Sequence, residues 1–493
     1  MGESARTGAD NVGGRARTAA GWQFLSKGIN SALQMVTSIV LARLLMPADF
    51  GIVAMAALVT GLASVFRDLG LGQALVQRQD ITPDHRRSAF WGTLVMALLL
   101  YGGVYLSATW VGAYFDEPRM VPVLKIIAIA FVLSPFAVVP RALLQRELDF
   151  RTPFFAELAS SVAYGGVGIT LALLGHGYWA LVAATLAGSA MRTVALCALT
   201  RYLPPLVPTF RGIGDLYGFG TGITAIMVLR YLSSKADYFV VGRVLGSGPL
   251  GLYTRAWNLV HMPLDSVAYA ISPVLFPAFA SLQDSPERTR RAYMHSVTAL
   301  VLVAAPFALA LAIAAPEAIP LILGEQWRGS VLPTQIMCIA GVVRVAAVPA
   351  SSVLRGRGTP WREVLPTAVF GAIIVSGAIA FASTGIWAVA VVVTVASVVY
   401  ATMLLVAANR LVRLNWRNYL NTFRAPLIAS VVMFPAMLGA RYLAMSQDAG
   451  GLVTLVVTVA AGALFGAVAT LLMYRQFYEL KAIYARLVRR GDG

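Results

Sequence analysis

Charge is scarce in this chain. Asp, Glu, Lys and Arg make up 12% of its 493 residues, against 58% hydrophobic residues. Soluble domains carry about twice that share of charge, so a soluble enzyme or binding module is excluded. Cysteine is nearly missing. Cys197 and Cys338 both lie in apolar runs and give neither a disulfide framework nor metal-ligand spacing. A nucleotide-binding P-loop is absent as well. "GRGTPWRE" at 356–363 has no strand before it and reads as a connector rather than a phosphate cradle. Acidic residues are the rarer sign, 22 against 39 Lys and Arg, for a net charge of +17. In a soluble protein that excess would point to nucleic acid. In a chain this apolar it is better explained by cytoplasmic loops that collect Lys and Arg, and no nucleic-acid partner is expected.

What the chain has is apolar length. Runs of about 20 apolar residues, enough to cross a ~30 Å hydrocarbon core as helix, recur from residue 20 to residue 474. The expected fold is an all-α polytopic membrane protein with about fourteen transmembrane helices. Alternate loops differ sharply in cations. One set holds groups such as Arg86 and Arg87, Arg288, Arg290 and Arg291, and Arg355, Arg357 and Arg362. The other set holds Arg43, Arg119, Lys125, Arg243, Arg328 and Arg441. The richer set faces the cytoplasm, which places both termini there. Residues 1–19 read as a flexible cytoplasmic tail and 475–493 as a basic one.

The chain resembles itself at a shift near 200 residues. "VLARLLMPADFGIV" at 40–53 matches "VVGRVLGSGPLGLY" at 240–253; "PDHRRSAF" at 83–90 matches "PERTRRAY" at 286–293; "GYWAL" at 177–181 matches "GIWAV" at 385–389. The expected organisation is two six-helix lobes, 20–211 and 212–410, followed by two additional helices within 411–474. An even number of spans makes the repeats parallel, related by a pseudo-two-fold axis along the membrane normal. Transporters commonly place the substrate site at such a repeat interface.

Polar residues interrupt the spans at helical spacing. Gln23, Lys27, Asn30, Gln34 and Thr37 fall on one stripe of the first helix. The shift of 200 carries Asn30 to Arg230, Gln34 to Ser234 and Thr37 to Asp237. Arg255, Asn258, Met262 and Asp265 follow the same spacing in the eighth span, with His261 beside them; Arg192 and Arg344 are further embedded cations. A charge in a bilayer centre costs at least about 2.5–3.5 kcal/mol, so these stripes are expected to face the bundle interior or water. Simpler explanations stand beside that one. Lys27 can snorkel to the interface, Arg230 or Lys235 can pair with Asp237, and Arg43 and Arg243 can anchor the outer boundary. The excess of embedded cations over carboxylates suits an anionic substrate.

"LARLLMPADFGIVAMA" at 41–56, "FRDLGLGQALVQRQDIT" at 66–82 and "GLYTRAWNLVHMPLDSVAYAISPVLFPAFASLQ" at 251–283 resemble the polysaccharide transporter family. That family contains the Wzx-type flippases of the MOP (multidrug/oligosaccharidyl-lipid/polysaccharide) superfamily. The resemblance implies a non-enzymatic job: carrying a polyprenyl-pyrophosphate-linked oligosaccharide across the bacterial inner membrane by alternating access. It implies no cofactor and no metal, and partners among the lipid-linked oligosaccharide, the bilayer and other polysaccharide assembly proteins. On that reading Lys27, Asn30, Gln34, Arg230, Ser234, Lys235, Arg255 and Arg344 would receive pyrophosphate and sugar, since Arg forks match phosphate oxygens and amides and hydroxyls match sugar hydroxyls. Asp237 and Asp265 would bind a coupling ion or neutralise neighbouring arginines. A lipid II flippase and a multidrug/cation antiporter of the same superfamily are the alternatives. A membrane polysaccharide polymerase is more distant; it would need carboxylates on the outer loop at 317–331, where Glu317 and Glu325 stand.

Overall fold

A computed structural model of the chain describes residues 28–67, 72, 75–76, 78, 80–147, 149–205, 207–209, 221–282 and 285–472. Lys27 and both tails, 1–19 and 475–493, lie outside the described residues. The described residues are nearly all helical and contain no strand. By contacts the chain divides into two compact units, Met1–Gly251 and Leu252–Gly493.

In the first unit, α1 (28–44), α2 (Pro47–Arg67) and α3 (Pro83–Phe115) are followed by a bent pair, α4 (Met120–Leu133) and α5 (Pro135–Arg146). Next come α6 (Arg151–Leu173), α7 (Tyr178–Thr200) and α8 (Thr221–Leu245). The unit boundary falls inside α9 (Ser247–Ser281). In the second unit lie α10 (Pro286–Leu323), α11 (Val331–Gly356), α12 (Val364–Phe381) and α13 (Ile386–Leu411). A short α14 (Trp416–Asn421) leads to α15 (Arg424–Ser446) and α16 (Gly451–Leu472).

Ten helices among the described residues are long and apolar enough to cross a membrane, and the bent pair α4–α5 makes up to eleven. The expected fourteen rests also on α1, α8 and α9. These carry the polar stripes. Large apolar side chains point outward from the bundle, as with Trp110 at 80% and Leu106 at 79% exposure. Lipid covers such surfaces, and helices satisfy their own backbone in it.

The repeated phrases have repeated local structure. Helices α3 and α10 both open on a hydroxyl residue followed by proline at the first helical position, Thr82–Pro83 and Ser285–Pro286. Proline suits that position because its missing N–H is not needed there. Thr82 also forms a capping box with His85. Gly177 and Gly385, which open α7 and α13, both have positive φ, 53° and 120°, a conformation that glycine adopts without a Cβ penalty.

The tightest packing in the first unit is reciprocal at the same shift of 200. A Cβ on Gly51 would overlap the Ser247 carbonyl, and a Cβ on Gly251 would overlap the Pro47 carbonyl. Gly51 corresponds to Gly251 and Pro47 to Ser247, so residue and partner exchange roles as across a two-fold axis. Helix α8 packs beside this crossing on α2, where the Tyr231 hydroxyl donates to the Leu58 carbonyl at 2.9 Å. That contact explains why α8, expected as the first helix of the second lobe, falls in the first unit. A buried carboxylate reinforces the crossing. Glu117 accepts from Arg119 at 2.7 and 2.9 Å and from the Ser247 hydroxyl at 2.9 Å. The Arg119 guanidinium, with Ser247, holds the Glu117 carboxyl below its ordinary value.

The second unit has its largest core where Phe279, Tyr293, Val297, Leu354, Leu404 and Tyr419 meet. Helices α15 and α16 rest on α10 through Leu302 and Ala429, and through Ile313, Met433 and Met437. One expectation is corrected here. Residues 317–323 are not loop but the last turns of α10, and Pro316 and Pro320 stay inside the helix. Neighbouring helices re-satisfy backbone groups that proline frees, so proline breaks membrane helices less than soluble ones.

Two outcomes test this packing. Gly51→Ala forces two backbones apart and should cost about 3 kcal/mol, lowering the unfolding midpoint of the purified protein. Gly166→Ala meets nothing within 4 Å and should leave the midpoint unchanged or raise it. Because Glu117 is depressed in the folded state, its stabilisation is present above the ordinary Glu value of 4.5 and is lost as pH falls through the lower folded value. The stability gap between wild type and Glu117→Gln, measured across that range, should therefore be widest near neutral pH and close in acid.

Candidate functional site

The expected site residues separate into one group on each unit. On the first unit, α1 brings Asn30 half-buried against α6, where the Ser161 hydroxyl donates to its Oδ1 at 3.1 Å. Thr37 is buried, and Gly165 of α6 packs so closely that a Cβ would sit 2.9 Å from its hydroxyl. Much of the α1 stripe is therefore engaged in helix packing. Gln34, between these two, is exposed. The small residues of α6 permit the approach, as at membrane helix crossings generally.

Helix α8 behaves differently. Tyr231 docks on α2, which leaves Arg230, about 100° round the helix, on an exposed face. Arg230 lies more than two turns from either end of α8 and makes no ion pair among the described residues. The pair with Asp237 does not form. Asp237 is buried, at 1% exposure. Ser234, one turn on from Arg230, is exposed too. Lys235 is half-buried, with its ammonium 4.3 Å from the Tyr238 ring centre. The other embedded arginine of this unit, Arg192 on α7, is within 3.5 Å of Glu157 on α6.

On the second unit, cations and aromatic rings alternate. Arg255 of α9 is buried with its guanidinium 5.0 Å from the ring of Trp327, itself fully buried. Arg344 of α11 is half-buried, 5.5 Å from the Trp257 ring. Trp257 also stacks on His261 at 3.8 Å, and His261 is 2% exposed. The stripe expected on α9 splits: Asn258 and Met262 are exposed, Asp265 is half-buried, and Arg255 lies underneath. Cation–π contacts of this type are worth about 0.5–2 kcal/mol, so the Trp257 ring does for Arg344 part of what a carboxylate would otherwise do.

Sequence reasoning missed Trp257 and Trp327. Trp327 stands in a polar stretch, "GEQWRGS", that reads as solvated surface, and the pairing of Glu325 with Arg328 at 2.8 Å is indeed exposed. A tryptophan between such residues was the available signal. Glu317 is held by Arg441 of α15 at 2.7 Å. Among the described residues no group of His, Cys, Asp and Glu is arranged to hold a metal ion.

The family described as polysaccharide biosynthesis protein matches residues 40–332. The lipopolysaccharide biosynthesis protein WzxC of Escherichia coli (strain K12) is 27% identical over 342 residues, covering 68% of this chain and 69% of that protein. The succinoglycan biosynthesis transport protein ExoT of Rhizobium meliloti (strain 1021) is 30% identical over 307 residues, 62% of each chain. The teichuronic acid biosynthesis protein TuaB of Bacillus subtilis (strain 168) is 24% identical over 420 residues, 82% of this chain and 84% of that one. Among solved structures, the lipid II flippase MurJ in an inward closed conformation superposes with a TM-score of 0.74 at 13% identity, covering 92% of this chain and 99% of that one. An inward-facing MATE multidrug resistance transporter of the MOP superfamily gives 0.62 at 14% identity, over 78% and 94%. At such identities the likeness is one of fold.

The two kinds of arginine separate by experiment. Arg255→Ala strips a ring contact and stem packing from a buried tryptophan and should cost about 1–2 kcal/mol, read as a lower unfolding midpoint. Arg230→Ala removes nothing that the fold holds and should stay within about 0.5 kcal/mol of wild type.

Proposed function

The chain belongs to the polysaccharide biosynthesis protein family, and from that premise we propose that it is a flippase. It carries a polyprenyl-pyrophosphate-linked oligosaccharide from the cytoplasmic to the outer leaflet of a bacterial inner membrane, with both termini in the cytoplasm. Arg230 carries this reading. An unpaired guanidinium deep in a membrane-length helix is tolerated where it lines water or meets an anion. A pyrophosphate headgroup that leaves bulk water is such an anion, and a guanidinium fork matches its oxygens. Ser234 and Gln34, both exposed, offer a hydroxyl and an amide to sugar hydroxyls. Arg344 and Arg255 supply the cations of the second unit, and the Trp257 ring gives sugar C–H faces an apolar surface.

Alternating access moves the headgroup. The lobes admit it from the cytoplasm, then release it outward, as parallel-repeat transporters rock around a midplane site. Lys27, Asn30 and Lys235 complete the proposed headgroup lining, and Asp237 and Asp265 are the proposed ion-coupling carboxylates. Against a cation antiporter stands the excess of embedded cations over carboxylates. Against a polymerase stands the state of Glu317 and Glu325, each held by an arginine rather than poised as an acid/base pair. The sequence relatives favour a polysaccharide precursor over lipid II.

The test uses a host lacking its own flippase for the pathway, with the leaflet position of lipid-linked oligosaccharide as readout. Wild type should relieve cytoplasmic accumulation. Arg230→Ala, expressed to an equal level, should reduce transport at least about tenfold, since a charge-assisted phosphate contact is worth about 1.5–3 kcal/mol. Arg230→Lys should retain part of it. Unchanged leaflet distribution with altered glycan chain length would instead indicate a polymerase.

A further inference from the structure

At the inner end of the second unit, several side chains carry a buried polar atom without a hydrogen-bond partner. The first pair is Tyr293 of α10 and Tyr419 of α14, at 0% and 1% exposure, with rings stacked 6.0 Å apart. Neither hydroxyl has a hydrogen-bond partner within bonding geometry. One turn before Tyr293, the Thr289 hydroxyl is contacted by Arg357 at 3.4 Å, while the buried Nε–H of Arg357 has no acceptor. Asn409 of α13 is 2% exposed, and both its amide nitrogen and its amide oxygen lack partners. Its neighbours Ala408 and Val412 belong to the same core as Tyr293, Tyr419 and Leu354. Each orphaned buried polar group costs about 1–3 kcal/mol, so the tyrosine pair and the arginine that Thr289 links to it call for a partner.

Charge selects the partner. No carboxylate pairs with Arg357 among the described residues, and the same holds for Arg288, Arg290 and Arg291 around Thr289 and for Arg410 and Arg413 after Asn409. The one carboxylate engaged nearby, Glu363, is taken by Arg355 and Ser351. The surroundings are strongly positive, and the groups on offer are a guanidinium N–H and two phenolic O–H donors. We infer that Arg357, Tyr293 and Tyr419, joined through Thr289, form a binding site for a phosphate group at this junction. A phosphate oxygen would bridge the two tyrosine hydroxyls, and another would face Arg357. The group can come from an anionic phospholipid headgroup or from free phosphate. The inference does not depend on the flippase reading, and it places an anion site away from the embedded cations of the transport path.

The experiment uses the full chain, purified and delipidated in detergent. Its unfolding midpoint is followed with added inorganic phosphate, with chloride at matched ionic strength, and with added phosphatidylglycerol. Wild type should gain several degrees from phosphate or from phosphatidylglycerol beyond chloride. Arg357→Gln should lose that gain. Tyr419→Phe, which removes one hydroxyl and keeps the core, should weaken the apparent affinity about tenfold. Arg328→Gln, an exposed cation beyond the opposite end of α10, should leave it unchanged. A response to phosphate alone identifies a free anion, and a response restricted to phosphatidylglycerol identifies a lipid headgroup. No gain in wild type, or an equal gain in Arg357→Gln and Tyr419→Phe, would overturn the site and leave the buried groups to internal water.

Discussion

A guanidinium cannot enter hydrocarbon alone, and the rest of the structure is arranged around that constraint. Three solutions occur side by side. Arg441 and Arg192 take a carboxylate, on Glu317 and Glu157. Arg255 and Arg344 take aromatic rings, on Trp327 and Trp257. Arg230 takes neither, although its helix is fixed to α2 one residue further on. Among the described residues, Arg230 thus stands apart from these four arginines in having neither a carboxylate nor a ring beside it. The fold is shared with transporters of different cargo, so such side chains, and not the architecture, distinguish this chain.

Much of this was legible in the residues. Apolar length gave the helices, loop cations gave an expected orientation, and three short phrases gave an expected repeat. The structure adds matching helix starts at Pro83 and Pro286 and matching positive-φ glycines at Gly177 and Gly385. Periodicity also put Asn30, Gln34 and Thr37 on one face. It could not say that α6 covers most of that face, because Ser161 and Gly165 are more than 120 residues away. A stripe records where polar groups lie on a helix. Which neighbour meets them is a non-local fact.

The same limit explains the remaining misses. Trp327 sits among charged residues and reads as surface, yet it is fully buried under Arg255. Residues 317–323, Pro320 among them, read as a loop, yet α10 runs through them. Glu117 carries no motif at all. Its importance arises from Ser247, which the fold brings to it from 130 residues away.

The crossing of α2 and α9 has a mechanical consequence. Gly51 and Gly251 meet backbone rather than side chains, so the seam has no interdigitated surface to unpack. Dispersion contacts across it are worth about 0.1–0.2 kcal/mol per atom pair, and the start of α9 is also held by the bond from Ser247 to Glu117. The pairing of two glycines with two carbonyls thus works as a close-tolerance fit: a methyl added to either glycine is met by backbone, which has no rotamer to give way.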